Sequence, residues 1–195
     1  MQPNDLLDLL RETGAMLEGH FLLTSGRHSN AYIEKFRILE DPVSLDEVCH
    51  SMAEIMGNEK IDLVLGAAIG GILLSGGVGR HLQKKHVFSE RVNGKMELRR
   101  GFSINKGDRI LIVEDIITTG GSVFELIQLV EEFHGEIVHV VNLVDRSPTG
   151  IDFGHPSTAL LNLPSESWEP DGCPLCKKGI PIAHRGRTGK KAEMA

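Results

Sequence analysis

Residues 110–122 read ILIVEDIITTGGS, and no other stretch restricts the possible folds so sharply. An uninterrupted apolar run predicts a strand buried on both faces, the kind found in parallel sheets covered by helices. The run ends in two adjacent carboxylates, Glu114 and Asp115, and leads two residues later into Thr118, Thr119, Gly120, Gly121 and Ser122, which open a helix. Ligands of open α/β sheets bind at the carboxyl ends of strands. Glycines there permit close backbone approach, and helix N-terminal amides with Thr and Ser hydroxyls suit a phosphate monoester. The carboxylates would repel that phosphate on contact, so they read as acceptors for two sugar hydroxyls one ribose-length away. A ribose phosphate satisfies both halves of the motif.

The rest of the chain fits the same class. Asn4 is expected to cap a helix running to about Leu17, and a short strand is expected around 31–34. Asp41-Pro42 opens a second helix, because Pro suits the first helical turn. Residues 61–65 form a buried strand ending at Gly66, followed by a helix over 71–83. Val87-Phe88 is a strand, and 91–100 a polar excursion turning at Asn93-Gly94. Strands follow at 109–114, 137–144 and 158–163, with a helix after Ser122. Strands alternating with helices predict an α/β fold with a mostly parallel sheet flanked by helices. Beyond Leu163 the composition shifts to Pro, Gly, Lys and Cys, read as a tail or small flap. Neither GxxxxGK[ST] nor GxGxxG follows the first strands, which removes the main signatures of nucleoside-triphosphate and dinucleotide folds.

Hydrophobic residues make up 41% and charged residues 25% of 195, enough apolar material for one domain with a sizeable core. Three Cys do not make a disulfide scaffold and indicate a reducing compartment. The N-terminus carries acids where a signal peptide would carry Lys or Arg, and the uncharged stretch 63–79 has six Gly in 17 residues. A cytoplasmic protein without membrane attachment is expected. The net charge of −6 argues against a general nucleic-acid binder. Residues 84–109 nevertheless carry eight bases against three acids, +5 within a chain otherwise at −11. Such a segment is either a solvated face or a polyanion site.

VEDIITTGGS resembles the 5-phosphoribosyl-1-diphosphate (PRPP) motif of the type I phosphoribosyltransferases. Residues 21–29, FLLTSGRHS, are similar to the N-terminal signature of the orotate phosphoribosyltransferases, and 142–146, NLVDR, to a later strand end in that family. The resemblance covers roughly residues 5–165 and implies a type I phosphoribosyltransferase fold. It implies one domain over 1–195, with a core at about 40–165, an N-terminal hood over 1–39 and a C-terminal tail over 166–195. The implied reaction is transfer of the phosphoribosyl group from PRPP to orotate, giving orotidine 5′-monophosphate and diphosphate in pyrimidine synthesis.

Carried over by position, Glu114 and Asp115 would hold the ribose hydroxyls, with Asp115 counted among the catalytic groups. Ile116, Ile117, Thr118, Thr119, Gly120, Gly121 and Ser122 would surround the 5-phosphate, and Gly70 and Gly71 would cradle the diphosphate. Arg91 and Lys95 match catalytic bases on a mobile loop that reaches across a homodimer in this family. Thr118, Ser25 and Gly26 would line the orotate pocket, and Arg146 would meet the orotate carboxylate, where a planar guanidinium suits bidentate contact. Mg2+ would arrive mainly on PRPP rather than in a protein-built site, favouring diphosphate departure as a Lewis acid. The +5 segment lies where closure over a diphosphate needs it.

Several positions depart from the family pattern. Gly70 and Thr24 stand where many members have Lys, and Val92 and Glu97 stand where the mobile loop usually has Lys and His. Arg99 and Arg100 are candidates to replace that charge. Cys173-Pro-Leu-Cys176 is half of a zinc-ribbon spacing, for which Cys49 and His184 are irregularly spaced partners; a reduced pair in a turn is the other reading. His28 is equally a loop residue or a ligand contact, and the basic tail 184–191 reads as solvated charge. Two rival functions remain: a purine phosphoribosyltransferase, which would share the PRPP motif but not FLLTSG or Asp145-Arg146, and a non-catalytic PRPP-sensing regulator.

Overall fold

The computed structural model describes residues 1–23, 25–164 and 166–185. Thr24 and the basic tail beyond Arg185, both singled out above, lie outside them. Helix α1 (Pro3–Glu12) is followed by a hairpin of β1 (Met16–Leu22) and β2 (His28–Ile33). The helix ends five residues before the expected Leu17. Thr13 bonds back to the Leu9 carbonyl through its hydroxyl, at 2.7 Å, and Gly14 takes a left-handed φ of +68°. Both residues terminate the helix, and Leu17 falls on a strand instead. The strand expected around 31–34 starts earlier, at His28, and pairs antiparallel with β1.

Next come α2 (Phe36–Leu39) and α3 (Pro42–Glu54), the latter begun as expected at Asp41-Pro42, with the Asp41 carboxylate accepting from the Ser44 amide at 2.8 Å. The main sheet then builds through β3 (Leu63–Ala67), α4 (Gly70–Leu82), β4 (Lys85–Val92), β5 (Lys95–Leu98), β6 (Arg109–Ile117), α5 (Gly121–Glu132), β7 (Glu136–Asp145) and β8 (Ser157–Asn162). Its strand order is β5-β4-β3-β6-β7-β8, parallel throughout except for β5. Strand β5 turns back from β4 at Asn93-Gly94, where φ is +48° and +87°. Positive φ at both central residues matches the twist of a tight hairpin, and Asn-Gly accepts it at least cost.

Alternation along the buried strands divides the core in two. Leu65, Ile110 and Ile112 pack with Leu126 and Val130 of α5 on one face. Val64, Leu111, Val113 and Val141 pack with Met52 of α3 and Leu74 and Val78 of α4 on the other.

Of the two readings of the segment after Leu163, a tail or a small flap, the structure has the flap. Strand β9 (Ser167–Trp168), a 3-10 turn (Pro170–Gly172), α6 (Pro174–Lys177) and β10 (Ala183–His184) complete a second, four-stranded sheet of order β10-β1-β2-β9. The two short strands occupy both edges of the N-terminal hairpin, which would otherwise expose unpaired backbone. Side chains reinforce the seam: Arg27 donates to the Ser167 hydroxyl at 3.0 Å and carbonyl at 2.7 Å, and Ser29 to the Glu166 carbonyl at 2.9 Å. No helix among the described residues is long and apolar enough to cross a membrane.

Candidate active site

Strand β3 connects outward to β4, whereas its neighbour β6 connects the other way to β7, so the connections diverge between β3 and β6. A crevice must open beyond the carboxyl ends of strands at such a point. The two glycine-bearing loops leave the sheet there, one running from Gly66 to Gly71 and the other from Glu114 to Ser122.

The second loop walls a cleft of about 230 Å3 lined by Glu114, Ile116, Ile117, Thr118, Thr119, Gly120, Gly121 and Ser122, together with Arg91 and Glu125. Gly120 precedes α5 with φ +74°, and a Cβ there would press on the Phe153 ring at 2.9 Å. Both conformation and space require glycine, and the free amides of α5 face this end. The cleft is therefore suited to an anion of phosphate size.

The two carboxylates divide between the faces of the strand end. Glu114 opens to the cleft and accepts from the Asp115 amide at 2.9 Å; burial, and next the charge of Asp115, push its carboxyl up to about 8. Asp115 turns toward the first loop. Its Oδ1 accepts from the Ile116 amide at 2.6 Å, its Oδ2 from Lys35 Nζ at 2.5 Å, and a Cβ on Gly70 would collide with Oδ2. Gly66 and Gly71 are in backbone contact, since a Cβ on Gly66 would strike the Gly71 carbonyl. The peptide bond Ala68–Ile69 is cis.

Arg91 reaches the cleft from β4, donating to the Gly94 carbonyl at 2.8 Å and pairing with Glu125 at 2.7 Å. Lys95 sits opposite Val92 on the exposed hairpin and does not line the cleft. Arg100, a candidate for the missing charge, is engaged by Glu90 through Nε at 3.0 Å and Nη2 at 2.8 Å. Ser25 and Gly26 lie at the exposed tip of the β1–β2 hairpin.

Arg146, at the end of β7, is buried. Its Nη2 donates to the Ala31 carbonyl of β2 at 3.1 Å, while Nε has no hydrogen-bond partner and no carboxylate pairs with it among the described residues. Burial lowers its pKa, partly opposed by Tyr32, and raises that of Tyr32. The Arg146 amide donates to the Ile117 carbonyl at 2.8 Å, so the residue carrying this buried guanidinium is bonded to the cleft wall without itself lining the cleft.

Sequence reasoning did not find Lys35, which sits 80 residues from Asp115 with no motif around it. It also did not find that His20 and His28 converge on Cys173 and Cys176, with ligand atoms all within 4.8 Å. A His on each arm of one hairpin was the available signal.

The phosphoribosyl transferase domain family matches residues 37–164. Over 190 residues the chain is 44% identical to an orotate phosphoribosyltransferase of Caldicellulosiruptor bescii, covering 97% of this chain and 100% of that one. The chain belongs to the orotate phosphoribosyltransferase family. A relative in that family from Thermotoga maritima is 43% identical over 94% of this chain and 98% of its own. The solved orotate phosphoribosyltransferase of Aeropyrum pernix superposes with TM-score 0.71 at 27% identity, covering 81% and 93% of the two chains. An adenine phosphoribosyltransferase of Thermoanaerobacter pseudethanolicus shares the fold with TM-score 0.61 at 18% identity, over 68% and 88%. The expected type I phosphoribosyltransferase fold is therefore the one observed. Because a purine enzyme shares it, the fold does not select the base; the full-length sequence likeness to orotate phosphoribosyltransferases does.

Proposed function

We propose that this chain transfers the phosphoribosyl group of PRPP to orotate, forming orotidine 5′-monophosphate and releasing diphosphate. The observation that favours orotate over a purine is Arg146, a buried cation with no carboxylate partner among the described residues. Orotate carries a carboxylate able to neutralise it in bidentate fashion, and purine bases do not.

In this reading the amides at the start of α5, with Thr118, Thr119 and Ser122, hold the 5-phosphate. Glu114 and Asp115 hold the ribose hydroxyls, one from each side of the strand end. The backbone around Gly70 and Gly71 receives the diphosphate. No side chain acts as a covalent nucleophile; the residues orient the anomeric carbon between the departing diphosphate and the incoming ring nitrogen, and stabilise the charge that develops. Arg91 lies on the cleft and supplies positive charge there, and closure of the β4–β5 hairpin would exclude water from the reactive ribosyl centre.

The donor set also fits Mg2+ brought by the substrate. Both Asp115 oxygens are engaged, by Lys35 and by the Ile116 amide, and the Glu114 carboxyl is pushed up to about 8, so the oxygens magnesium takes would come mainly from substrate phosphates and water. Bound magnesium would offset diphosphate charge and ease its departure. A second copy of this chain would complete the arrangement by offering its hairpin, with Lys95, to the neighbouring cleft. A cytoplasmic setting belongs to this reading because three Cys in 195 residues do not make a disulfide scaffold.

An ultraviolet assay with PRPP and magnesium, offering orotate, uracil, hypoxanthine and adenine, tests the reading. Turnover confined to orotate is expected, with Arg146→Met raising the KM for orotate. Turnover of a purine would transfer the chain to the sister activity. PRPP binding without turnover of any base would make it a sensor of PRPP.

A further inference from the structure

Outside the cleft, four side chains of metal-binding type meet where the two ends of the chain cross. His20 comes from β1 and His28 from β2. Cys173 immediately precedes α6 and Cys176 lies within it. We infer that His20, His28, Cys173 and Cys176 form a structural site for a tetrahedral divalent cation of the zinc class, tying the C-terminal segment to the N-terminal hairpin.

The edge lengths carry the assignment. His20 Nε2 lies 3.0 Å from His28 Nδ1. Cys173 Sγ lies 3.5 Å from His20 Nε2, and Cys176 Sγ lies 3.8 Å from His20 Nε2 and 3.3 Å from His28 Nδ1. With zinc bonds of about 2.0–2.1 Å to nitrogen and about 2.3 Å to sulfur, a regular tetrahedron has edges of about 3.3 Å between nitrogens and about 3.5 Å from nitrogen to sulfur. Four of the six edges thus stand near the lengths that a zinc ion demands, and the other two are no longer than 4.8 Å.

Hydrogen bonding alone accounts for the cluster less well. His20 Nδ1 is 2.7 Å from the Ile180 carbonyl and must donate to it, which in the neutral imidazole leaves Nε2 as an acceptor with one lone pair. Three polar atoms crowd that lone pair. One cation at their centre satisfies all four groups, and two thiolates balance its charge inside a region where His20, His28 and Cys173 are buried. The His20–Ile180 bond is also the outer contact that metal-bound imidazoles require to fix tautomer and ring orientation. Cys176 is exposed and offers the route of entry. Four protein ligands leave no open position, so the role is structural. The sequence offers Cys49 and His184 only as irregularly spaced partners for the Cys pair, beside a reduced pair in a turn. The geometry replaces those two with His20 and His28.

The test uses the full reduced chain titrated with zinc against a competing chelating dye, and with Co(II) as a spectroscopic probe. Expected are one zinc per chain, a thiolate-to-cobalt charge-transfer band, and tetrahedral ligand-field absorption. Cys49→Ser should keep the full equivalent, and the Cys173→Ser, Cys176→Ser double variant should lose it. His28→Cys, which retains a zinc-binding donor, should keep it and guards against misreading a variant that fails to fold. Absence of saturable zinc binding by the wild-type chain, or cobalt binding without a thiolate band, would overturn the assignment. So would zinc retained undiminished by the double variant.

Discussion

Lys35 Nζ rests 2.5 Å from Asp115 Oδ2, on the same oxygen against which Gly70 is closely packed. The ammonium therefore meets the buried carboxylate at the place where the two substrate-facing loops converge. Many relatives, by the pattern noted from sequence, carry a Lys in the loop position that Gly70 fills. This chain instead delivers an ammonium to Asp115 from the segment between β2 and α2, and keeps the loop bare.

Lys35→Met leaves Asp115 buried without its counter-charge. The Lys35 side chain is 30% exposed, so the loss is smaller than for a fully buried pair. A destabilisation of about 1–2 kcal/mol, or about 3–6 °C in Tm, is expected, with weaker PRPP binding. Calorimetry and isothermal titration would check both; an unchanged Tm would remove Lys35 from this account.

Gly70→Ala places a methyl group against Asp115 Oδ2. The displaced carboxylate should lower kcat/KM for PRPP by about 100-fold, the scale of a misplacement of about 1 Å, while the fold survives. Steady-state kinetics with circular dichroism as the control decides it.

Glu114 supplies a pH signature. Its carboxyl is raised from an ordinary 4.5 to about 8, mainly by burial, so between those values the unfolded chain has released a proton that the native chain still holds. Stability contributed by this group is full below the unfolded pKa and is lost as pH rises toward 8. Glu114→Gln removes that slope. Its Tm should exceed the wild type's near pH 8 and converge with it near pH 4.5. A gain of equal size at both ends of the range would mean that the carboxyl is not held protonated by its surroundings.

Arg91 and Lys95 separate by position. Arg91 lines the cleft of its own chain, so Arg91→Ala should lower kcat by about 10²–10³-fold. Lys95→Ala should also impair turnover, but through the neighbouring copy. Mixing Lys95→Ala with Asp115→Asn should then restore part of the activity, because one hybrid site inherits both intact groups. Mixtures no better than their components, under conditions where hybrids form, would place both bases in their own chain's site.

The parts legible in the sequence were those whose cause is local. Continuous apolarity marked β6, Asp41-Pro42 marked the start of α3, and Asn93-Gly94 marked the β4–β5 turn. The acid pair and the glycine loop identified the cleft because strand, turn and helix are consecutive. Illegible were relations made by distant pairing. Strands β9 and β10 have two residues each, too few for a periodic signal, and exist through the hairpin edges they cover. Lys35 gained meaning only when the fold brought it to Asp115. Leu17 misled in the opposite way, matching a helical spacing that Thr13 and Gly14 had already ended.

The contact from His20 to Ile180 closes a span of 160 residues. Bringing such remote segments together costs chain entropy, which the contacts of the small sheet and the rest of the fold must offset. During synthesis both edges of the hairpin lack their partner strands until residues 167–184 have been made. A chain halted before Cys173 would therefore lack β10 and leave the β1 edge of the hairpin unpaired, while every strand of the six-stranded sheet would already be present.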